Sequence, residues 1–317
     1  MINNYSNNQI QEAILKTLAY FDISSYPLTK TELKKFLWLP NSISEDEISF
    51  NLQVLLTENK IDKQNCFYFL KGKNENVKLR QLKVKLVEEK MKIANRAVQK
   101  LRHVPFLRAV FVCNTVAAGV PNNDSDIDVL IIAKKNYMWV VRFFSTIILK
   151  FFRLRTSELN HKDRMCLSFY ATDSNLNLEK LKIKDKSDIY LVYWILQLIP
   201  IYDPDNLYQS IFRANKWLDS YINIPKQNYY LAEYLQVRDV DSGLRVKNIL
   251  ENFFAEKKYL LNFIEKLQHS KIRKNYGLYA DMSDTRVVIS EEFLKFHEND
   301  RRREYHEKWV KNYENII

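Results

Sequence analysis

Glycine is almost missing from this chain: there are four in 317 residues, beside seven prolines. Both residues disfavour helix interiors, while the abundant Leu, Lys and Glu form helices well, so the composition favours helix. Scarcity also makes each glycine informative, and Gly119 falls where a turn is expected. Cysteine is no more frequent: Cys66, Cys113 and Cys166 form an odd set without metal-ligand spacing, which fits a reducing, cytoplasmic setting. The five histidines are scattered, with no His/Cys cluster of the kind that holds zinc. No run reaches the ~20 apolar residues of a membrane-crossing helix. The nearest, Tyr137 to Phe152, is interrupted by Arg142 and Lys150 and reads as a buried helix lying across a sheet. No targeting signal is expected at Met1 to Asn8, which is polar and uncharged. No segment is of low enough complexity to demand disorder.

What remains is an ordinary apolar content, a net charge of +11 and enough length for two or three domains with real cores. The excess of positive charge suits a polyanionic partner or a nucleotide. Residues 8–23 carry apolar positions near the 3.6-residue period and predict a helix. Thr29 caps a second helix, Lys30 to Trp38, with Glu32 as its capping-box partner. Ser44 opens a third, with Ile48, Leu52, Leu55 and Leu56 on one face. Residues 61–70 read as a hairpin turning near Lys63 to Asn65. From 71 to 102 a long helix is expected, its stripe running through Leu79, Leu82, Leu86, Val87, Met91, Ala94, Val98 and Leu101. Eleven Lys/Arg against three Glu give that connector +8 of the chain's charge. A solvated helix face and a basic ridge that attracts nucleic acid are both open readings.

The chemistry is expected between Val112 and Ala133. Arg108 to Cys113 reads as a strand, followed by a turn ending at Gly119, a polar loop, and a second apolar strand, Ile127 to Ala133. Strand side chains alternate between faces, so Asp126 and Asp128 project together with Ile127 turned into the core. Two adjacent carboxylates repel each other and call for a cation between them, most simply Mg²⁺ with nucleotide phosphates. A helix starting after the first strand would offer free N–H groups to phosphate.

This pattern resembles the DNA polymerase β-type nucleotidyltransferase superfamily over roughly residues 105 to 172. Asn114-Thr115 stands at the family's Gly-Ser position, Gly119 has the right offset, and Ser125-Asp126-Ile127-Asp128 matches the acidic element. The resemblance implies that Asp126 and Asp128 are the catalytic, Mg²⁺-binding residues, and that Asn114, Thr115, Gly119 and Ser125 form the nucleotide-binding stretch. Asn tolerates a left-handed backbone better than most residues, and Thr keeps the hydroxyl. The family also places a third carboxylate on a later strand. Arg164 to Thr172 is the candidate strand, but its middle carries Ser168, with Asp163 and Asp173 only at its ends. Residues 1–72 resemble a winged-helix domain, although Glu45-Asp46-Glu47 would repel phosphate at the start of its third helix, where Asn51, Gln53 and Lys60 are the few favourable groups.

From 185 onward the chain reads as helical. One aromatic-rich helix runs from Ile189 to near Pro200, and a second, capped by Asp205, carries Leu207 through Leu218. A long amphipathic helix is expected from Gly243 to Lys271. Thr285 to Ile289 reads as a short strand, with Ser290 capping a further helix through Phe296. Arg301-Arg302-Arg303 is open to two readings, a phosphate clamp or exposed surface.

The expected fold is α+β: a winged helix (1–72), a basic connector helix (73–104), a small mixed-sheet nucleotidyltransferase core (105–184) and a helical C-terminal domain (185–317). The expected function is Mg²⁺-dependent transfer of a nucleoside monophosphate from an NTP, ATP foremost, to an acceptor that the residues do not reveal, nucleic acid and protein included. The competing expectation is a catalytically inactive regulator on the same fold, binding nucleic acid or a protein partner through the winged helix and the basic helix.

Overall fold

Ser6 accepts the amide of Gln9 while the Gln9 side chain accepts the amide of Ser6, and this reciprocal box starts α1 (Asn7–Asp22) in the computed structural model. The structure describes residues 5–157, 159–183, 186–224, 231–280, 286–296 and 300–316, with backbone alone over 273–280. The same local chemistry repeats twice. After the two-residue strand β1 (Leu28–Thr29), Thr29 and Glu32 box the start of α2 (Lys30–Lys35). Ser44 and Glu47 do so for α3 (Glu45–Thr57). Each side-chain cap is worth about 1 kcal/mol. The hairpin β2 (Ile61–Gln64) and β3 (Phe67–Leu70) turns at Asn65 and Cys66, with Asn65 in the left-handed region (φ 56°), and β1 joins it as a three-stranded sheet in the order β1-β3-β2.

Helix α4 (Glu75–Leu101) departs from expectation in its first half. Met91, Ala94, Val98 and Leu101 are buried, but Leu79 and Leu82 are exposed, so the apolar stripe meets the core only over the last turns. Two of the helix's cations point inward instead. The Arg80 guanidinium pairs with Glu32 at 2.7 Å, bonds the Pro27 carbonyl and lies over the Tyr26 ring, and the Lys90 side chain is fully enclosed.

The second sheet has six strands. β4 (Leu107–Val112) leads through the single-turn α5 (Asn114–Ala117) to β5 (Ile127–Ala133). Helix α6 (Met138–Phe151) then crosses to β6 (Met165–Thr172), and α7 (Ile189–Leu196) leads to β7 (Ile199–Tyr202). α8 (Leu207–Ala214), α9 (Asp241–Glu256) and α10 (Lys258–Ala280) follow, then β8 (Val287–Ile289), β9 (Phe293–Phe296) and α11 (Arg302–Glu314). Among the described residues, the order across the sheet is β7-β4-β5-β6-β9-β8, and of its neighbouring strands only β5 and β6 run parallel. Every residue of β5 is buried, as expected of a strand covered on both faces. Leu130 and Ile132 face a core shared with the N-terminal helices and α7. Val129 and Ile131 face a second core shared with α4 and α6.

The protein is therefore α+β with two sheets, but the segment after 185 is not purely helical. Ile199–Tyr202 leaves helix geometry to become a sheet strand beside β4, and Phe293–Phe296 is strand, not helix. Ser290 closes the β8–β9 turn by accepting the amide of Phe293. The helix expected from Gly243 to Lys271 is two helices broken at Lys257. α8 is capped by Asp203, which accepts the amides of Leu207 and Tyr208, in place of Asp205. Trp217 and Leu218 belong to a separate 3₁₀ turn. Thr285, expected to open β8, lies outside the described residues. Among the described residues, no helix is long and apolar enough to cross a membrane.

Candidate functional site

Cys113, the last residue before α5, donates its amide to the carbonyl of Asp128 (3.0 Å), which brings the start of the first turn beside the start of β5. Asp126 and Asp128 then project from the same face. Their carboxylate oxygens and the Cys166 sulfur of β6 all lie within 4.8 Å of one another. A bulge in β6 follows directly after this meeting point. Asp128 pairs with Cys166 but Leu130 pairs with Phe169, so β6 spends one residue more than β5 over the same span. Cys166, Ser168 and Phe169 are thereby all turned toward the acids, in keeping with the way bulges re-aim side chains beside sites. The Ser168 hydroxyl donates to Asp128 Oδ1 at 3.2 Å.

Burial, and then the neighbouring charge of Asp128, push the Asp126 carboxyl up to about 6. Burial and the two carboxylates push the Cys166 thiol well above its ordinary value and keep it neutral. The donor set fits a hard divalent cation at the two carboxylates, where oxygen ligands and net negative charge coincide. A protonated thiol is no ligand for such an ion.

Asn114 takes a left-handed backbone (φ 55°), and its side-chain oxygen accepts the indole N–H of Trp194 at 2.6 Å. Thr115 follows it at the mouth of the same cavity. Gly119 (φ +76°) does not line that cavity. Its missing side chain makes room for Tyr26 of the N-terminal unit, whose Cε2 would stand 2.8 Å from an added Cβ. Ser125 does not line it either; its hydroxyl bonds Asn122 within the loop at 3.0 Å. Because α5 is a single turn, its dipole contributes little, and any phosphate would be held by local N–H groups, Thr115 and nearby cations.

The cavity, about 340 Å³, is lined by Asn114, Thr115, Asp126, Asp128 and Cys166 together with the aromatic rings of Tyr190, Trp194 and Tyr305. The chain's C-terminal part contributes Lys295, Asp300, Arg301 and Arg302 to it. Arg302 is buried and bonds Asp300 (2.5 Å) and Asp188 (3.1 Å), and Lys295 bonds Asp300 at 3.0 Å. Burial works against ionisation of Asp300, but hydrogen bonds from Arg302 and the charge of Lys295 hold its carboxyl below the usual range. Burial and the Arg302 charge lower Lys295 to about 8. Arg301 is exposed and pairs with Glu304 at 2.9 Å.

Two acids considered for a third carboxylate are used elsewhere: Asp163 pairs with Lys90 (2.8 Å) and Asp173 accepts the amide of Lys135 (2.9 Å). The reading of β6 centred on Ser168 overlooked Cys166, although the alternation of Met165, Cys166, Leu167 and Ser168 puts the two polar side chains on one face. Lys295, alone in the apolar run Phe293–Phe296, was a second legible signal. Tyr190, Trp194 and Tyr305 carried none beyond helical spacing. On α3, Glu45, Asp46, Ser49 and Phe50 are exposed, whereas Asn51 is buried and bonds Gln11 and the Glu47 carbonyl.

Comparison with protein-family profiles, with curated proteins and with solved structures returns no match. The class defined by fold and site is thus an α+β protein in which two adjacent carboxylates open on a polar, aromatic-lined cavity.

Proposed function

We propose that this chain is a cytoplasmic, Mg²⁺-dependent nucleotidyltransferase that moves a nucleoside monophosphate from an NTP, ATP foremost, to an acceptor hydroxyl. One observation carries the reading. Asp126 and Asp128 face a cavity of about 340 Å³ whose lining also includes the Asn114–Thr115 turn and the cations Lys295, Arg301 and Arg302. The succession β4, turn, β5, α6, β6 supports it, because the superfamily resembled by residues 105–172 has strand, turn, acid-bearing strand and later strand in that order. The three helices and hairpin of the N-terminal unit, with sheet order β1-β3-β2, support a winged-helix reading of it. The acidic start of α3 favours a protein-contact role for that unit over DNA reading.

Asp126 and Asp128 are the residues that would hold Mg²⁺, which when bound neutralises triphosphate charge and polarises the phosphoryl group. Thr115 and the backbone of the α5 turn contact the phosphates, and Arg301 adds a cation that can turn toward them from the rim. Tyr190, Trp194 and Tyr305 exclude water and offer faces for a base.

In the test, calorimetry of the Asp126→Ala, Asp128→Ala double variant shows no Mg²⁺-dependent NTP binding while the wild type binds. Retained binding in that variant removes the reading.

A second reading, nucleotide binding without transfer, is favoured by a specific feature of β6. β6 sets the neutral Cys166 thiol and the Ser168 hydroxyl, already donated to Asp128, beside the two acids, so no carboxylate on β6 stands ready to take the acceptor's proton. Transfer of label from α-labelled NTP separates the two: labelled product supports the transferase, and tight binding with no product supports the binding protein.

A further inference from the structure

The Lys90 side chain is fully enclosed, an unusual state for a lysine, which normally keeps its ammonium in water. Its Nζ donates to the carbonyl of Ser125 at 2.6 Å and to Asp163 Oδ1 at 2.8 Å. Both partners belong to the approach to the acids. Ser125 is joined by its peptide bond to Asp126. Asp163 ends the loop before β6 in a left-handed conformation (φ 55°), and its own amide reaches the same Ser125 carbonyl at 3.3 Å. Two residues beyond Ser125 and one beyond Asp163, the amide of Ile127 donates to the carbonyl of Arg164 at 2.8 Å. The Lys90 ammonium therefore clamps two loops together at the point where β5 and β6 begin.

Burying an ammonium is costly, and a buried ion pair is a poor way to gain stability when an apolar residue could fill the space. Met91 and Ala94, its neighbours on α4, fill the adjoining core with apolar groups. The polar exception stands where the Ser125–Asp126 peptide must be fixed if the Asp126 carboxylate is to keep its place beside Asp128. We infer that Lys90 is a positioning residue, which orients the cation-binding carboxylates by pinning the Ser125 carbonyl and Asp163. This rests on the proposed cation-binding role of Asp126 and Asp128. Outer partners of ligand groups of this kind typically change metal affinity 10–100-fold when removed.

The test is Mn²⁺ titration followed by electron paramagnetic resonance, with amide hydrogen exchange over 125–128, on the full chain. Lys90→Met keeps the length and removes the donors. It is expected to bind Mn²⁺ at least tenfold more weakly while retaining a cooperative melt, and the Asp126 and Ile127 amides exchange faster. Lys90→Arg, which keeps donors, recovers part of the affinity. Wild-type affinity in folded Lys90→Met overturns the inference. Should that variant not fold, Asp163→Ala decides by the same measure, since Asp163 is partly exposed (38 %) and its loss leaves Lys90 one anchor short. Weaker Mn²⁺ binding there supports the clamp, and unchanged affinity overturns it. A wild type that takes up no Mn²⁺ removes the proposed function together with the clamp, whereas a wild type that binds beside equally tight variants removes the clamp alone.

Discussion

Gly119 lies under the ring of Tyr26: a Cβ built on Gly119 would stand 2.8 Å from Tyr26 Cε2 and 3.3 Å from its hydroxyl. The glycine that the sequence marks as part of a nucleotide-binding turn thus also joins that turn to the N-terminal unit. The Tyr26 ring has a further neighbour, since the Arg80 guanidinium stands 4.1 Å from its centroid and 4.6 Å from that of Phe67.

Gly119→Ala is expected to destabilise by about 2 kcal/mol, combining the left-handed backbone with overpacking. Denaturant melts check this. Combining it with Tyr26→Ala should recover the steric part but not the backbone part, so the double-mutant cycle shows a coupling of roughly 1 kcal/mol. Strict additivity would mean that the two residues do not touch in solution.

The protonation of Asp126 gives a pH signature. Its carboxyl titrates at about 6 in the fold against an ordinary 3.8. The folded chain thus binds this proton more tightly than the unfolded one. The metal-free protein loses stability as pH rises from about 4 to about 6, on the order of 1–2 kcal/mol after allowance for solvent, and the loss is complete above that range. Cation binding must displace the same proton, so Mn²⁺ affinity should weaken by up to about tenfold per pH unit below 6. Asp126→Asn should abolish that stability slope in thermal melts over pH 4–7. An unchanged slope would show that another group causes it.

Arg301 and Arg302 are neighbours with different expected roles. Arg302 is buried between Asp300 and Asp188, so Arg302→Ala leaves buried carboxylates uncompensated and should cost about 3–5 kcal/mol. Arg301 is exposed at the rim with Glu304. Arg301→Ala should leave the melting temperature within a degree or two of wild type, roughly the effect of ±0.5 kcal/mol. Its NTP affinity should fall about tenfold, the loss of one charge-assisted contact. Calorimetry with and without Mg²⁺ measures this, and undiminished affinity would take Arg301 out of the site.

Asp203 and Asp205 give a direct contrast at the start of α8. Asp203 accepts two helix amides. Asp203→Ala should therefore cost about 1 kcal/mol, whereas Asp205→Ala should cost only a few tenths. Equal losses in urea melts would contradict the observed cap.

How far the sequence could be read depended on the range of the interactions concerned. Thr29 and Ser44 were legible as helix starts because each cap closes within three residues; Ser6 makes the same cap, but the apolar period alone put the first helix at residues 8–23. β5 was legible because seven consecutive residues buried on both faces leave an apolar run. By contrast, Ile199–Tyr202 follows an aromatic helix with no polar gap, and only the vacant edge of β4 makes it a strand. Phe293–Phe296 joins β6 for the same reason. The helix break at Lys257 has neither glycine nor proline to announce it. In the candidate site, the shared face of Asp126 and Asp128 was legible from strand alternation, whereas Asn114 and Thr115 were singled out only through the family resemblance. Cys166 needed the β6 register, and Lys90 looked like one more solvated cation on a basic helix.

By itself, the sequence determined where α2 and α3 begin, which strand carries the acids, and that two carboxylates share a face, since all of these follow from backbone periodicity and contacts a few residues apart. Only the tertiary structure decided what stands around those carboxylates: a bulge in β6, a clamp from α4, and a wall built from residues near the end of the chain. Such neighbours are brought together by burial and strand pairing between residues at least 35 apart in the sequence, and no local pattern records that.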